Sequence, residues 1–301
     1  MKNRRSGSLL IVAVVAAAVA TMLSLSLAAV LRASARTSDE GRYRRETRQA
    51  CRNAVLLFAA EHLVSDTNGW DAATEEWAEP WERRAEEWVL RVSGDGWQTH
   101  AAATEGVRDE SSRIPLGPSA QPLLAALLHV AAGIPDTAAS DLAQQISSKG
   151  PYACLPHLAA DSGLTDKEFK AIAPHVTLFA TERVNINSAS ETVLESVFHA
   201  TGTIDLGASR SLLGRIRAFR KAGNAFTSAT PASIARSLGG LPADEMLLLA
   251  NSQDWLTVES EIFSGVAEAT PARFWESGRA PGRATFTFDR GSSRFLRWVE
   301  E

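Results

Sequence analysis

The sequence predicts an α+β protein: one long N-terminal helix that crosses a membrane, a small antiparallel sheet, and a large helical domain inserted into that sheet. Three observations carry this reading. Residues 9–31 hold no charged side chain. Residues 113–258 contain two copies of one helical pattern, the first opening at Arg113 and the second at Arg183. Strand-like segments flank the two copies on both sides.

The uncharged run from Leu9 to Leu31, at about 1.5 Å rise per residue, makes roughly 34 Å of helix, enough to cross a bilayer core. The apolar core of a signal peptide is shorter, roughly 7–15 residues. Flanking charge does not set the orientation. Lys2, Arg4 and Arg5 precede the run, while Arg32, Arg36, Arg42, Arg44, Arg45 and Arg48 follow it. Beyond it, Tyr43, Thr47, Ala50, Ala54 and Leu57 recur at helical spacing, so an amphipathic helix continues over 32–64. Gly41 is an awkward interior residue, costing about 1 kcal/mol relative to Ala and marking a candidate kink. Asp66-Thr-Asn68-Gly69 ends the helix with turn residues.

Residues 65–112 and 259–301 form the sheet. Five of the eight tryptophans, Trp70, Trp77, Trp81, Trp88 and Trp97, fall early in this part and predict a small core of packed rings. Glu86–Val92 reads as a strand leading into the turn Gly94-Asp-Gly96, with a second strand through Gln98–Ala103. Near the C-terminus, Phe286-Thr-Phe288 and Arg294–Trp298 flank Asp289–Ser293 as a hairpin.

The inserted domain is a duplication. RIPLGPSAQPLLAALL, from Arg113, aligns with RVNINSASETVLESVF, from Arg183. Each opens with Arg and alternating apolar residues, then a turn, then an amphipathic helix. Gly133-Ile-Pro-Asp136 opens a helix ending near Ile146, and Gly202-Thr-Ile-Asp205 opens one ending near Ile216. Each copy closes on an extended tail, Val176–Phe179 and Trp255–Val258. The repeats therefore run 113–179 and 183–258. Two copies make a paired domain, since solenoids need at least about three repeats. The insertion's ends, near Arg113 and Val258, should lie close together. The alternation and then the helical period place Val184, Ile186, Val193, Leu194 and Val197 inside. Asn185, Asn187, Ser188 and Ser190 turn the chain and cap the following helix, with Ser188 or Ser190 working beside Glu191.

Composition narrows the function. The net charge of −4 does not suggest a nucleic-acid binder. Cys51 and Cys154 lack metal-site spacing, and the sequence leaves their pairing open. The six histidines are scattered without an HExxH pair, and no Walker loop, G-x-S-x-G or S-x-x-K is present, so an enzyme is not expected. Asp66, Asp71, Glu75 and Glu76 could bind calcium, but no EF-hand pattern contains them and a solvated acidic loop is the simpler reading.

The short basic leader ending in Gly7, with the apolar helix starting at Ser8, resembles the N-terminus of type IV pilin-like proteins. The resemblance implies that residues 1–7 are a leader cut after Gly7 by prepilin peptidase, with Ser8–Leu31 staying in the membrane. Most members carry Glu at the fifth mature position; here it is Val12, as in the K-type minor pseudopilins of type II secretion systems. Glu79-Pro-Trp81, Arg108-Asp-Glu-Ser-Ser-Arg113, the Val184-Asn-Ile-Asn187 motif and the terminal Phe295–Trp298 strand also resemble that family. Pro115, Leu116 and Gly117 depart from its asparagine-rich pattern. The resemblance implies a pilin-like sheet carrying two helix-hairpin-helix or SAM-like repeats, and a single-pass inner-membrane protein with a cytoplasmic N-terminus and a periplasmic head. Its partners would be the other minor pseudopilins and the major pseudopilin. Its role would be to initiate or cap a pseudopilus at the tip, with Val12 defining that position. Calcium binding is known among relatives; no other cofactor is implied.

The Val184-Asn-Ile-Asn187 opening also resembles helix-hairpin-helix DNA-binding modules of competence proteins, which would make the chain a membrane-anchored DNA-uptake protein. That reading needs a compact glycine turn beside basic residues. The available turn, Ala200–Gly207, is long and carries Asp205, although Arg210, Arg215, Arg217, Arg220 and Lys221 cluster after it. Residues 183–258 hold seven Lys/Arg against six Asp/Glu, so structural reuse is the simpler account and no nucleic acid is expected.

Overall fold

The structure is a computed structural model that describes residues 4–65, 68–94, 106–179, 183–202, 206–273 and 280–301, with backbone alone at 4–10 and 206. The chain divides into two units, Met1–Ala50 and Cys51–Glu301.

The first unit is helical. Helix α1 (Arg4–Phe58) begins before Ser8, so Gly7 and Ser8 lie inside it. No proline or turn sequence separates the basic leader from the apolar run, and the helix extends back through it. α1 also passes Gly41 without a break, where a Cβ would meet nothing within 4 Å. The apolar run has a mean hydropathy of 2.4 over its most apolar stretch, none of it buried. Large side chains from Ile11 to Leu31 are more than half exposed, a surface that calls for lipid. Arg42 pairs with Glu46, and Arg44 with Glu40, across single turns at 2.7 Å.

The last turns of α1 belong to the second unit and end in a π turn, Ala59–Leu63. The helix thus stops before the expected Asp66–Gly69 turn, of which Asp66 and Thr67 lie outside the described residues. Val55, Phe58, Ala59 and Leu63 are buried. Phe58 meets Trp81 edge-on at 6.2 Å, and Arg52 lies 5.3 Å over the Phe295 ring. Cys51 is a buried free thiol.

Among the described residues, three strands precede the helical block: β1 (Trp81–Arg84), β2 (Trp88–Ser93) and β3 (Arg108–Asp109). β1 was not expected from the sequence, because three of its four residues are charged and it alternates no apolar positions. The expected strand at Gln98–Ala103 lies outside the described residues. The tryptophans do not form one core. Of the four that are described, only Trp77 is buried, edge-on to Phe263 at 5.2 Å, while Trp70 packs against the helical block. Trp97 lies outside the described residues.

The helical block has the same order twice. The first copy is β4 (Ile114–Pro115), α2 (Gln121–Ala132), α3 (Asp136–Lys149), α4 (Leu155–Asp161), α5 (Asp166–Ile172) and β5 (Val176–Thr177). The second is β6 (Val184–Asn185), α6 (Glu191–Ala200), α7 (Leu206–Lys221), α8 (Pro231–Ser237), α9 (Ala243–Ser252) and β7 (Leu256–Thr257). The closing tail of each copy returns to pair, in parallel, with its opening strand: Ile114 with Val176, and Val184 with Leu256. One core runs through both copies, with Leu123, Leu124, Leu127 and Leu128 of α2 and Val193, Leu194, Val197 and Phe198 of α6 in it. Val184 and Ile186 are fully buried.

The chain then returns to the sheet as β8 (Ile262–Pro271), β9 (Gly282–Asp289) and β10 (Arg294–Glu300). The order is β1–β2–β8–β9–β10, all antiparallel, with β3 continuing the β2 edge of β8 by pairing with Phe263 and Ser264. β9 and β10 make the expected hairpin, with a register shift between Phe295 and Arg297. Strands from before and after the insertion thus lie side by side on β8. The insertion leaves and returns at one place, where the Asp71 N–H also donates to the Val258 carbonyl at 2.7 Å.

Gly265 sits on β8 where a Cβ would lie 2.5 Å from the Ser93 carbonyl oxygen and 3.1 Å from the Phe286 ring. The neighbour at 2.5 Å is backbone, and it cannot swing aside. Gly265→Ala should therefore destabilise the second unit by about 1–3 kcal/mol, the range for overpacking. A urea titration of the detergent-solubilised chain checks this; an unchanged midpoint would contradict the packing of β2 on β8.

Candidate functional site

The candidate residues of the sequence fall in two places. Gly7, Ser8 and Val12 lie on α1. Val12 is exposed and sits inside the apolar run, which has no carboxylate there. Asn185, Asn187, Ser188 and Ser190 lie in the second unit, at the junction of sheet and helical block.

That junction is a buried polar node. Asn185, on β6, is completely buried. Its Nδ2 donates toward the Asp71 carbonyl (3.0 Å), Asp109 Oδ2 (3.1 Å) and Ser260 Oγ (2.8 Å), while its Oδ1 accepts from the Asn187 N–H at 2.9 Å. Two amide protons thus serve three acceptors drawn from the segment after α1, from β3 and from the segment leading into β8. Asn187 does a different job. Its Nδ2 donates to the Phe226 carbonyl at 2.9 Å, and its Oδ1 accepts the Phe226 N–H at 2.8 Å, clamping the loop after α7. Ser188 does not cap the helix; its hydroxyl donates to Asp109 Oδ2. Ser190 is the cap of α6, accepting from the Val193 N–H at 3.3 Å, and its hydroxyl also lies 3.2 Å from His175 Nδ1. Burial and the charge of Arg113 lower the pKa of that histidine.

Two adjacent carboxylates complete the node, and sequence reasoning missed both. Asp109 Oδ1 accepts the Ser111 N–H at 2.7 Å. Burial pushes its pKa up to about 6, the nearby Asp71 charge adding to this, against the opposing hydrogen bonds from Ser188, Ser260 and Ser111. Glu110 accepts from the hydroxyls of Thr177, on β5, and Ser264, on β8, with Arg113 at 3.5 Å. Asp71 is fully buried rather than part of a solvated loop. Arg290 grips it with two bonds, 2.7 and 2.9 Å, and the Ser260 N–H donates to it at 2.6 Å. The segment Arg108–Arg113 was the readable signal, since its run of charge sits between a strand and an apolar turn.

The other acidic residues are also engaged. Glu75 accepts from Asn68, the Ala72 N–H and Trp77 Nε1, and Glu76 lies 3.1 Å from His62. Asp66 lies outside the described residues. The basic cluster is largely spoken for. Arg217 pairs with Glu191 and Arg220 donates to the Ala189 carbonyl at 2.7 Å. Burial lowers the Arg220 pKa. Arg215 lies 3.3 Å from Glu245 without an aligned hydrogen bond to that oxygen. Part of the Ala200–Gly207 turn lies outside the described residues. The histidines are not all scattered, however: His129 and His199 are neighbours in space.

The architecture is a membrane-type helix followed by a sheet that carries a duplicated helical insertion. No family model matches the sequence, and no curated protein does. Among solved structures, the chain is similar to one in the crystal structure of the GspK–GspI–GspJ complex from the enterotoxigenic Escherichia coli type 2 secretion system. The likeness has a TM-score of 0.56 at 14% identity, covering 87% of this chain and 99% of that one. At this identity the likeness is one of fold.

Removing a buried donor to a charged acceptor costs about 1.5–3 kcal/mol. Asn185→Ala should fall in that range in urea denaturation, above Ser190→Ala, where a lost cap costs about 1 kcal/mol. Equal effects would remove the node from its central place. Asp109 makes a second test, through pH. Its folded pKa lies above the ordinary value of 3.8, so the native state holds the proton longer than the unfolded chain. Its stabilising contribution is full below about pH 4 and is lost as pH rises through about 6. Wild type should therefore gain stability relative to Asp109→Asn as the pH falls from 7 to 4.5. A constant difference between the two would show that Asp109 does not titrate in this window.

Proposed function

We propose that this chain is a minor pseudopilin of a type II secretion system. In this reading it is anchored in the inner membrane by Ser8–Leu31 with its second unit in the periplasm. The observation that supports it most is the likeness in fold along 87% of the chain to a subunit of the GspK–GspI–GspJ complex. The features of α1 agree. It offers a lipid-facing apolar surface behind a basic leader ending in Gly7, as a substrate of prepilin peptidase requires. The partners proposed are other minor pseudopilins, of the I and J kinds, and the major pseudopilin. Calcium, which the family resemblance raised, stays a proposal here.

Val12 supports a place at the tip. A carboxylate at a membrane-helix centre costs roughly 2.5–3.5 kcal/mol on insertion scales, so it is kept where a partner charge compensates it. In pilin-like subunits the fifth-position glutamate is thought to meet the N-terminal amine of the subunit above. With Val12 this chain makes no such contact upward, while its Ser8 amine still serves a subunit below. Head-to-tail growth needs both halves of the interface, so one half alone initiates or caps a filament. The helical block, roughly 146 residues, adds bulk of domain size against further stacking.

The test is a C-terminally tagged chain isolated from membranes of its own host. The expected product starts at Ser8 by intact mass and co-purifies with I- and J-kind pseudopilins, and the tag labels one end of assembled filaments. A product that keeps Met1 and brings down no pseudopilin would overturn the proposal; label along the whole shaft would overturn the tip position.

A further inference from the structure

The duplication places one histidine in each copy at the same position. His129 lies in the last turn of α2 and His199 in the last turn of α6, separated by the same interval as Arg113 and Arg183. These two helices pack together across the seam between the repeats, α2 burying leucines and α6 valines, a leucine and a phenylalanine in one core. The packing stacks the two imidazoles, centroids 4.7 Å apart and 12° from parallel. Asp136, the first residue of α3, points its carboxylate at both: Asp136 Oδ1 lies 3.1 Å from His129 Nδ1 and 3.1 Å from His199 Nε2. One ligating atom from each of the three residues lies within 4.8 Å of the others, the sole such group of three or more among the described residues.

We propose that His129, Asp136 and His199 form a binding site for one divalent transition-metal ion of the zinc type, pinning the two repeats together. The inference does not depend on the filament reading. The two histidine–carboxylate separations suit the ion: metal–nitrogen bonds of about 2.0–2.1 Å in a tetrahedron put neighbouring ligand atoms about 3.3 Å apart. The chemistry of the set suits it too. Two imidazoles and one carboxylate favour zinc, cobalt, nickel or copper, whereas calcium and magnesium prefer all-oxygen sites. The site opens to solvent on one side. The Asp136 side chain is 60% exposed and that of His129 39%, against 20% for His199, so water can fill the remaining coordination position. Without the ion, the Ile134 carbonyl sits 2.9 Å from His129 Nδ1 and holds its proton. Binding takes the proton from His129 Nδ1 while Nε2 gains one from solvent, so the imidazole stays neutral, and one ring turns about its Cβ–Cγ bond so that both nitrogen lone pairs meet at one point.

The experiment uses the full chain in detergent, stripped with chelator and desalted. Cobalt(II) is the optical probe and zinc(II) the competitor. One equivalent of cobalt should give intense visible bands of a tetrahedral site, abolished by one equivalent of zinc and untouched by millimolar calcium. Zinc at a hundredfold excess over Kd should raise Tm by about 5 °C, as linkage implies for a unit of this size. His129→Gln and His199→Gln should each weaken binding at least about tenfold, the loss expected for one ligand. His157→Gln, which removes a separate His–Asp pair, should not. Near-UV circular dichroism shows whether the variants fold, and Asp136→Asn, at the exposed ligand, gives the same reading if either histidine variant does not. Absence of saturable binding below about 100 µM, or binding that survives His129→Gln/His199→Gln, would overturn the site.

Discussion

Two adjacent buried carboxylates, Asp109 and Glu110, carry the architecture, because each is answered by a different repeat. Glu110 accepts from Thr177, the closing strand of the first copy, and from Ser264 in the central strand of the sheet. Asp109 accepts from Asn185 and Ser188, the opening turn of the second. Both stand just where β3 leaves the sheet, Asp109 as its last residue and Glu110 directly after it, so two neighbouring side chains reach three bodies of structure at once. Burying a carboxylate costs several kcal/mol unless directed donors replace its water. Here the donors exist only in one relative placement of sheet and repeats. Hydrophobic contact is non-directional and would tolerate sliding; the carboxylates do not.

Asp71 extends this logic to the segment after α1. Arg290, from the turn after β9, grips it with two bonds while Ser260 adds a backbone N–H. Its own carbonyl accepts from Asn185. The node thus ties the start and the end of the second unit to the place where the insertion departs. Arg290 also lies 5.5 Å over the Phe263 ring, so its charge is held by packing as well as by pairing.

Much of this was legible in the sequence, for identifiable reasons. The membrane-type helix is a matter of composition. The duplication is a matter of register, and the buried set from Val184 to Val197 follows from periodicity alone. The hairpin of β9 and β10 follows from alternation. What was not legible depends on partners distant in sequence. β1 is an exposed, charged edge strand, recognisable only by the strand beside it. The parallel pairing of β4 with β5 spans a whole repeat, and no local signal announces it. Asn185 looked like a turn residue because its acceptors, Asp71, Asp109 and Ser260, come from three separate segments. His129 and His199 are the instructive miss. Their equal place in the two repeats was visible, but the contact needs the packing of α2 on α6, which repeat spacing does not specify.

The two repeats also show how one backbone plan accommodates different chemistry. The ladder is the same in both: the Leu116 N–H donates to the Thr177 carbonyl at 3.1 Å, and the Ile186 N–H to the Thr257 carbonyl at 2.9 Å. The side chains diverge where Pro115 and Gly117 stand against Asn185 and Asn187. In the second copy the loop after α7 buries Phe226, whose side chain has no polar atom, and Asn187 satisfies that residue's backbone N–H and carbonyl. In the first copy the loop after α3 buries Tyr152, whose hydroxyl donates to the Ile146 carbonyl at 2.9 Å. That loop is thus tied to α3 by a side chain of its own. The two copies therefore hold the loop after their second helix by different side chains, with the strand pairing beneath unaltered.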